Sequence, residues 1–157
     1  MSCSALYFSN ELKVLQSLDI KDIKYINASV VNCMSKYGIH MIDATLGWLN
    51  FNPTSIRKLN LPFESIVIDT EENIPIQINA LGNGAKTFDY NVYTSNENFN
   101  FQLLDNFTYF RSTLSSFAEL LTTGIPFIPA KVVEKSINTL IHSLNLLPGQ
   151  DVFYNRS

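Results

Sequence analysis

Charge is scarce in this sequence. Only 16% of its residues are Asp, Glu, Lys or Arg, against about a quarter in an average globular domain. The 11 Lys and Arg are scattered, with no run of three. A protein that neutralises phosphates needs a basic face, so nucleic-acid binding is excluded as an expectation. The 14 acidic residues are also too few for a mimic of DNA. Disorder is excluded for a related reason, because 46% of the chain is hydrophobic and disorder needs high charge with few apolar groups.

Cysteine and histidine are scarcer still. Cys3 and Cys33 form no disulfide framework, whether or not they pair, and the simpler reading is a reduced cytoplasmic protein. His40 and His142 stand alone, without the close His or Cys neighbours that a zinc site requires. The expectation is therefore no metal and no organic cofactor. No apolar run approaches the roughly 18 residues of a membrane span. The first residues lack the basic start and apolar core of a signal peptide.

What replaces charge is uncharged polarity, chiefly Asn and Ser. The 157 residues suit one domain. The pattern divides it into a helical N-terminal segment (1–62), a β segment (63–104), two helices within 105–148 and a tail (149–157). Ser9 can cap a helix over 10–18. Asp19 can cap another over 20–37, with Ile23, Ile26, Val30, Met34 and Tyr37 at steps of three and four. Residues 39–51 are ambiguous, with Gly47 counting against either assignment. Residues 54–59 suggest one more helical turn.

Four strands are expected at 64–70, 74–81, 86–94 and 98–103. Side chains alternate with period two, so each pairing must match apolar to apolar. A loop at 71–73 sets Ile68 against Ile76 and Ile66 against Ile78. A loop at 82–84 sets Ile78 against Phe88 and Ile76 against Tyr90. A loop at Ser95-Asn96 sets Val92 against Phe99 and Tyr90 against Phe101. All three put Ile66, Ile68, Ile76, Ile78, Phe88, Tyr90, Phe99 and Phe101 on one face. The fold class expected is thus α+β: a four-stranded antiparallel meander packed on one face by N-terminal and C-terminal helices. The last two helices are placed at 109–122, with the stripe Phe110, Leu114, Phe117 and Leu121, and at 129–145, with Val133, Ile137, Leu140, Ile141 and Leu144 inward.

Few motifs suggest chemistry. Gly82-Asn83-Gly84 lies between two strands and reads as a hairpin turn, not a phosphate loop. No Gly-x-Ser-x-Gly elbow occurs. His40, Asp43 and Cys33 make a nucleophilic set only if the fold joins them, and Cys33 in a helix reads more simply as a small hydrophobe. The polar sheet face is less ordinary. Asp69, Asp89, Asn91 and Tyr93 lie on it, with Glu71 and Glu72 at a hairpin tip, and adaptable amides with a tyrosine suit a wet protein interface. These six are the expected partner-binding residues, toward another protein of basic character. The functional expectation is a small acidic, non-enzymatic binding domain acting by occlusion, such as an immunity protein or toxin inhibitor. The alternative is a structural or accessory subunit of a phage or other assembly.

Overall fold

A computed structural model describes residues 4–154. Seven strands form one sheet: β1 (Ile23–Val30), β2 (Pro53–Lys58), β3 (Glu64–Thr70), β4 (Ile76–Ala80), β5 (Phe88–Thr94), β6 (Asn98–Gln102) and β7 (Asp151–Phe153). Their order is β6-β5-β1-β4-β3-β2-β7. β1 and β4 run parallel, and every other neighbouring pair is antiparallel. The helices are α1 (Ile39–Trp48), α2 (Asn106–Thr123) and α3 (Ala130–Asn145). A π-helical turn, Met34–Gly38, leads directly into α1.

The four-stranded meander is therefore corrected to a seven-stranded mixed sheet. Its two outer hairpins have the expected registers, with Ile66 opposite Ile78 and Ile68 opposite Ile76, and Tyr90 opposite Phe101 and Val92 opposite Phe99. The middle pairing does not exist, because β1 lies between β4 and β5. Ile26 sits opposite Ile76 on one side and Val92 on the other. β1 occupies much of the segment expected to be the helix 20–37. Ile26 and Val30 satisfy both a helical and a strand period, but Ala28 is buried with them while Tyr25, Asn27 and Ser29 point to the opposite face. A central strand gains two hydrogen-bonded partners here, and that tertiary gain overrides a weak helical stripe. Asp19 does accept the Lys21 N–H, but it caps only a three-residue 3-10 turn.

Two further segments expected otherwise join the sheet. The turn at 54–59 is mostly β2, with Pro53 at its first position where no ladder donor is needed. The tail supplies β7, which pairs with β2. The segment 10–18 is a 3-10 helix, Leu12–Ser17, that buries Leu12 and Leu15.

The core lies between one sheet face and α1. Met41, Ile42, Ala44 and Leu46 pack against Ile26, Ala28, Ile66, Ile68, Ile76, Ile78, Tyr90 and Val92, all almost wholly buried. All eight expected inward residues point this way, with Phe88, Phe99 and Phe101 only half-buried near the β6 edge. α3 packs on α1 through Ser136, Thr139 and Ser143, small residues that allow close approach. The apolar stripe expected to face inward is rotated off that contact, so Ile137, Ile141 and Leu144 are exposed. In α2 the buried residues are Tyr109 and Ser116, and Phe110, Leu114, Phe117 and Leu121 point to solvent. Asp105 caps α2 by accepting the Thr108 N–H, and Gly124, at φ 72°, ends it in the left-handed conformation that favours glycine.

Candidate functional site

The parallel pair β1–β4, the one such pair among the described residues, organises an unusual corner of the molecule. β1 ends at Val30 beside Ala80 of β4. Just beyond, Asn32 N–H donates to Gly82 O at 2.7 Å and Gly82 N–H returns to Asn32 O at 2.9 Å. Asn32 adopts φ 71°, and its side-chain oxygen accepts the Cys33 N–H at 2.9 Å. The chain then enters the π-helical turn, whose first amide, Met34 N–H, donates to the Glu64 carboxylate at 2.8 Å. Glu64 stands at the start of β3, opposite Ala80, so a neighbouring strand supplies the negative charge that suits a helix N-terminus. Cys33 Sγ lies 3.2 Å from Ser35 Oγ, and hydrogen bonds from the Ser35 side chain and the Lys36 backbone lower the pKa of the thiol.

Asn32, Cys33, Ser35, Lys36 and Glu64 thus form a polar shelf at the carboxyl ends of two parallel strands. The direction of pairing reverses at β1, which is parallel to β4 and antiparallel to β5. Open α/β sheets bind ligands in the crevice outside the carboxyl ends of their strands, the end of β1 and β4 at which these residues lie, and π-helical turns recur at functional sites. Amide, hydroxyl, ammonium and carboxylate groups in this density can hydrogen-bond a polyhydroxylated molecule. Cys33 is thus not the small hydrophobe of a helix core. It stands half-exposed before the π-turn, a position that periodicity alone does not reveal. Cys3, and with it any pairing to Cys33, lies outside the described residues.

His40 and Asp43 sit one turn apart on α1, and Ser4 joins them. His40 Nδ1 is 3.1 Å from Ser4 Oγ, and the Asp43 carboxylate accepts from the Ser4 backbone. Burial lowers the His40 pKa and raises that of Asp43. The Ser136 hydroxyl lies against Asp43 without good hydrogen-bond geometry, so it relieves only a fraction of the burial cost. Cys33 is bonded to Ser35 and not to either of them, so the three-residue nucleophilic set is not assembled. His142, expected on the exposed side of its helix, packs edge-on against Tyr154 at 5.2 Å. Among the described residues, no group of three or more His, Cys, Asp and Glu could hold a metal ion.

The six residues expected on the polar sheet face divide into two groups. Asp69 accepts from Ser55 at 2.6 Å and pairs with Arg57 at 3.5 Å. Glu71 accepts from Asn52 at 3.0 Å, and Glu71 and Glu72 both act electrostatically on Lys135. Those three are engaged within the domain. Asp89, Asn91 and Tyr93 share the open face of β5, where Tyr93 stacks on Tyr25 at 5.6 Å. Beneath them runs a network that sequence reasoning misses. Tyr25 donates to Gln77, Gln77 to Ser65 and Asn79, and Ser65 to Asn79, over 2.7 to 3.2 Å.

No family model matches this sequence, and no curated protein matches it. Solved structures do share its fold. The myo-inositol dehydrogenase of Lactobacillus casei, in complex with NAD(H) and myo-inositol, superposes with TM-score 0.71 at 12% identity, over 100% of this chain and 64% of its own. The scyllo-inositol dehydrogenase of the same organism, with NAD(H) and scyllo-inositol, gives 0.67 at 13% identity, over 90% and 59%. A UDP-N-acetylglucosamine 3-dehydrogenase of Acidithiobacillus ferrooxidans gives 0.67 at 8%, over 88% and 58%. The chain spans about six-tenths of the length of these proteins. At such identities the likeness is one of fold. It replaces the expectations of an immunity protein, a toxin inhibitor, a non-enzymatic domain and an assembly subunit, because the counterparts of this fold are oxidoreductases. Among the described residues, no helix is long and apolar enough to cross a membrane.

Proposed function

We propose that this chain is a dehydrogenase-type domain of the kind that faces substrate, working beside a separate dinucleotide-binding domain. The observation that carries this reading is the shared fold with cyclitol and sugar-nucleotide dehydrogenases over nearly all of this chain and only a portion of theirs. Its topology supports the division of labour. A dinucleotide-binding domain is a mostly parallel sheet whose first turn carries Gly-x-Gly-x-x-Gly before a helix. Here one pairing is parallel. The nearest sequence, Gly82-Asn83-Gly84-Ala85-Lys86-Thr87, lacks the third glycine and leads into β5. The substrate class is a polyol or sugar, held on the shelf by Asn32, Ser35, Lys36 and Glu64. The open face of β5, with Asp89, Asn91 and Tyr93, is the surface for contact with another protein.

Titration with NADH, read by its fluorescence, and with scyllo- and myo-inositol, read by saturation-transfer NMR, tests the reading. The expected result is no NADH binding and weak cyclitol binding, with Kd in the mM range, abolished by Lys36→Ala. Tight NADH binding by the chain alone overturns the assignment, and so does failure of every cyclitol and sugar to bind.

A further inference from the structure

The exposed stripe of α2 has a strict spacing. Phe107, Phe110, Leu114, Phe117 and Leu121 recur at steps of three, four, three and four residues, the a and d positions of a heptad seam. Their exposures are 78, 60, 53, 41 and 72%. The opposite side of the helix is anchored, since Tyr109 and Ser116 are buried and Tyr109 Oη donates to Glu11 at 2.8 Å. The seam therefore points outward because the inner face of α2 is already in use. At about 200 Å² for a whole Phe side chain and a little less for Leu, the five residues together offer on the order of 550 Å² of apolar surface. That lies at the upper end of the roughly 300–600 Å² of the largest patch on a monomer, a size that is often functional, and two copies brought together bury about 1,100 Å², enough to clear the roughly 1,000 Å² expected of a specific interface.

We propose that this stripe is the interface of a homodimer in which α2 packs antiparallel against α2 of a second copy. The observations favour a second copy because the seam complements itself. An antiparallel two-fold axis between Leu114 and Phe117 sets Phe110 opposite Leu121 of the other copy and Leu114 opposite its Phe117. Each of the four central layers then joins one Phe to one Leu, the alternation of large and small side chains that close packing requires. Phe107 falls opposite the other copy's Gly124, where the helix ends and leaves room. A parallel pair instead stacks Phe on Phe and Leu on Leu, layers that are alternately crowded and loose. Charge does not oppose the antiparallel pair. The flanking positions hold Arg111, Thr113, Ala118 and Leu120, and Arg111 lies near Ala118 of the other copy, away from the second Arg111. The proposal does not rest on the dehydrogenase reading, since it uses only the seam.

Sedimentation velocity and cross-linking test it. At about 50 µM the full chain sediments as a dimer if Kd is in the low micromolar range. Leu114→Glu shifts it to monomer, with an unchanged circular dichroism spectrum because the side chain is exposed. In a background carrying Cys3→Ser and Cys33→Ser, Leu114→Cys and Phe117→Cys proteins are mixed and oxidised. The expected major product joins position 114 of one to position 117 of the other, well above either self-linked species. A monomeric wild-type chain overturns the proposal, as does a dimer that survives Leu114→Glu. A predominant 114-to-114 link overturns the antiparallel arrangement.

Discussion

Tyr90, in the middle of β5, donates its phenol to Thr45 Oγ1 on α1 at 2.9 Å. Both residues are wholly buried, and Thr45 Oγ1 donates onward to Met41 O at 2.8 Å. A chain of two hydrogen bonds thus crosses the core from sheet to helix backbone. Burial holds the Tyr90 phenol neutral, far above its ordinary pKa. Tyr90→Phe removes the donor and leaves Thr45 its bond to Met41 O, so a loss of about 1 kcal/mol is expected. Thr45→Val leaves the phenol buried without an acceptor and costs more, about 2–3 kcal/mol. The double variant recovers some of that loss, a coupling readable by urea denaturation of all four proteins. Strict additivity contradicts the linkage.

The network under the open sheet face predicts a contrast between two asparagines. Asn79 is buried and its side-chain oxygen serves both Ser65 and Gln77. Asn100 stands exposed on β6 of the same face. Asn79→Ala leaves the wholly buried Ser65 hydroxyl without its acceptor, an expected loss of about 1–3 kcal/mol. Asn100→Ala is expected to stay within about 0.5 kcal/mol. Equal effects in chemical denaturation show that the network contributes nothing beyond surface polarity.

How much of this is legible in the sequence depends on whether an element's partners are local. The hairpins β3–β4 and β5–β6 are readable because short loops set their register and a slip of one residue moves Ile or Phe into water. β1 is not, because its partners β4 and β5 lie tens of residues away and its apolar positions also fit a helix. The helices α2 and α3 lie at nearly their expected limits, but the stripe of α2 faces outward and that of α3 is turned partly to solvent, with Leu140 still packed on the core. A heptad of Phe and Leu says that a face must be covered and does not say by what. The shelf at the end of the parallel pair is invisible for the same reason as β1. Asn32, Cys33 and Glu64 meet only because β1, β4 and β3 are neighbours. The six polar-face residues are individually visible, while Ser55 and Arg57 beside Asp69 are not, since their strand reads as a helical turn.

Two glycines with opposite surroundings should respond oppositely to alanine. Gly47 lies within α1, and a Cβ there collides with the ring of Tyr7. Close approach of the first 3-10 turn to α1 therefore explains a residue that otherwise weakens a helix. Gly47→Ala is expected to cost about 1–3 kcal/mol despite alanine's better helix propensity. Gly84, in the β4–β5 loop, has open space around its Cβ direction and no positive φ. Gly84→Ala should be neutral or stabilising by about 0.4–1 kcal/mol through reduced freedom of the unfolded chain. Thermal melts of both proteins check the pair, and a stabilised Gly47→Ala excludes the contact with Tyr7.

Half-buried His40 and buried Asp43 on α1 make opposite predictions for pH, and the signs follow from the directions of the two shifts. Burial lowers the pKa of His40, so the folded state prefers neutral imidazole. That contribution is complete above the unfolded value of about 6.5 and is lost as pH falls toward the folded value. Burial raises the pKa of Asp43, so the folded state prefers the neutral acid. Its contribution is complete below the unfolded value of about 3.9 and is lost as pH rises through the folded value. Above that unfolded value, ionisation of Asp43 therefore weighs against the fold, while the accepted Ser4 amide offsets some of the cost. Asp43→Asn keeps the size and an acceptor oxygen but removes the charge. The expected outcome is a melting temperature raised relative to wild type at pH 7–8, with the difference vanishing near pH 4. His40→Gln should behave in the other direction. Its removal of the titrating ring flattens the decline of stability that the wild type shows as pH falls below about 6.5. Melting temperatures of the three proteins across pH 4–8 decide the matter. A constant offset for Asp43→Asn at every pH means that the carboxyl contributes through packing and hydrogen bonds alone, and that its burial does not govern its ionisation.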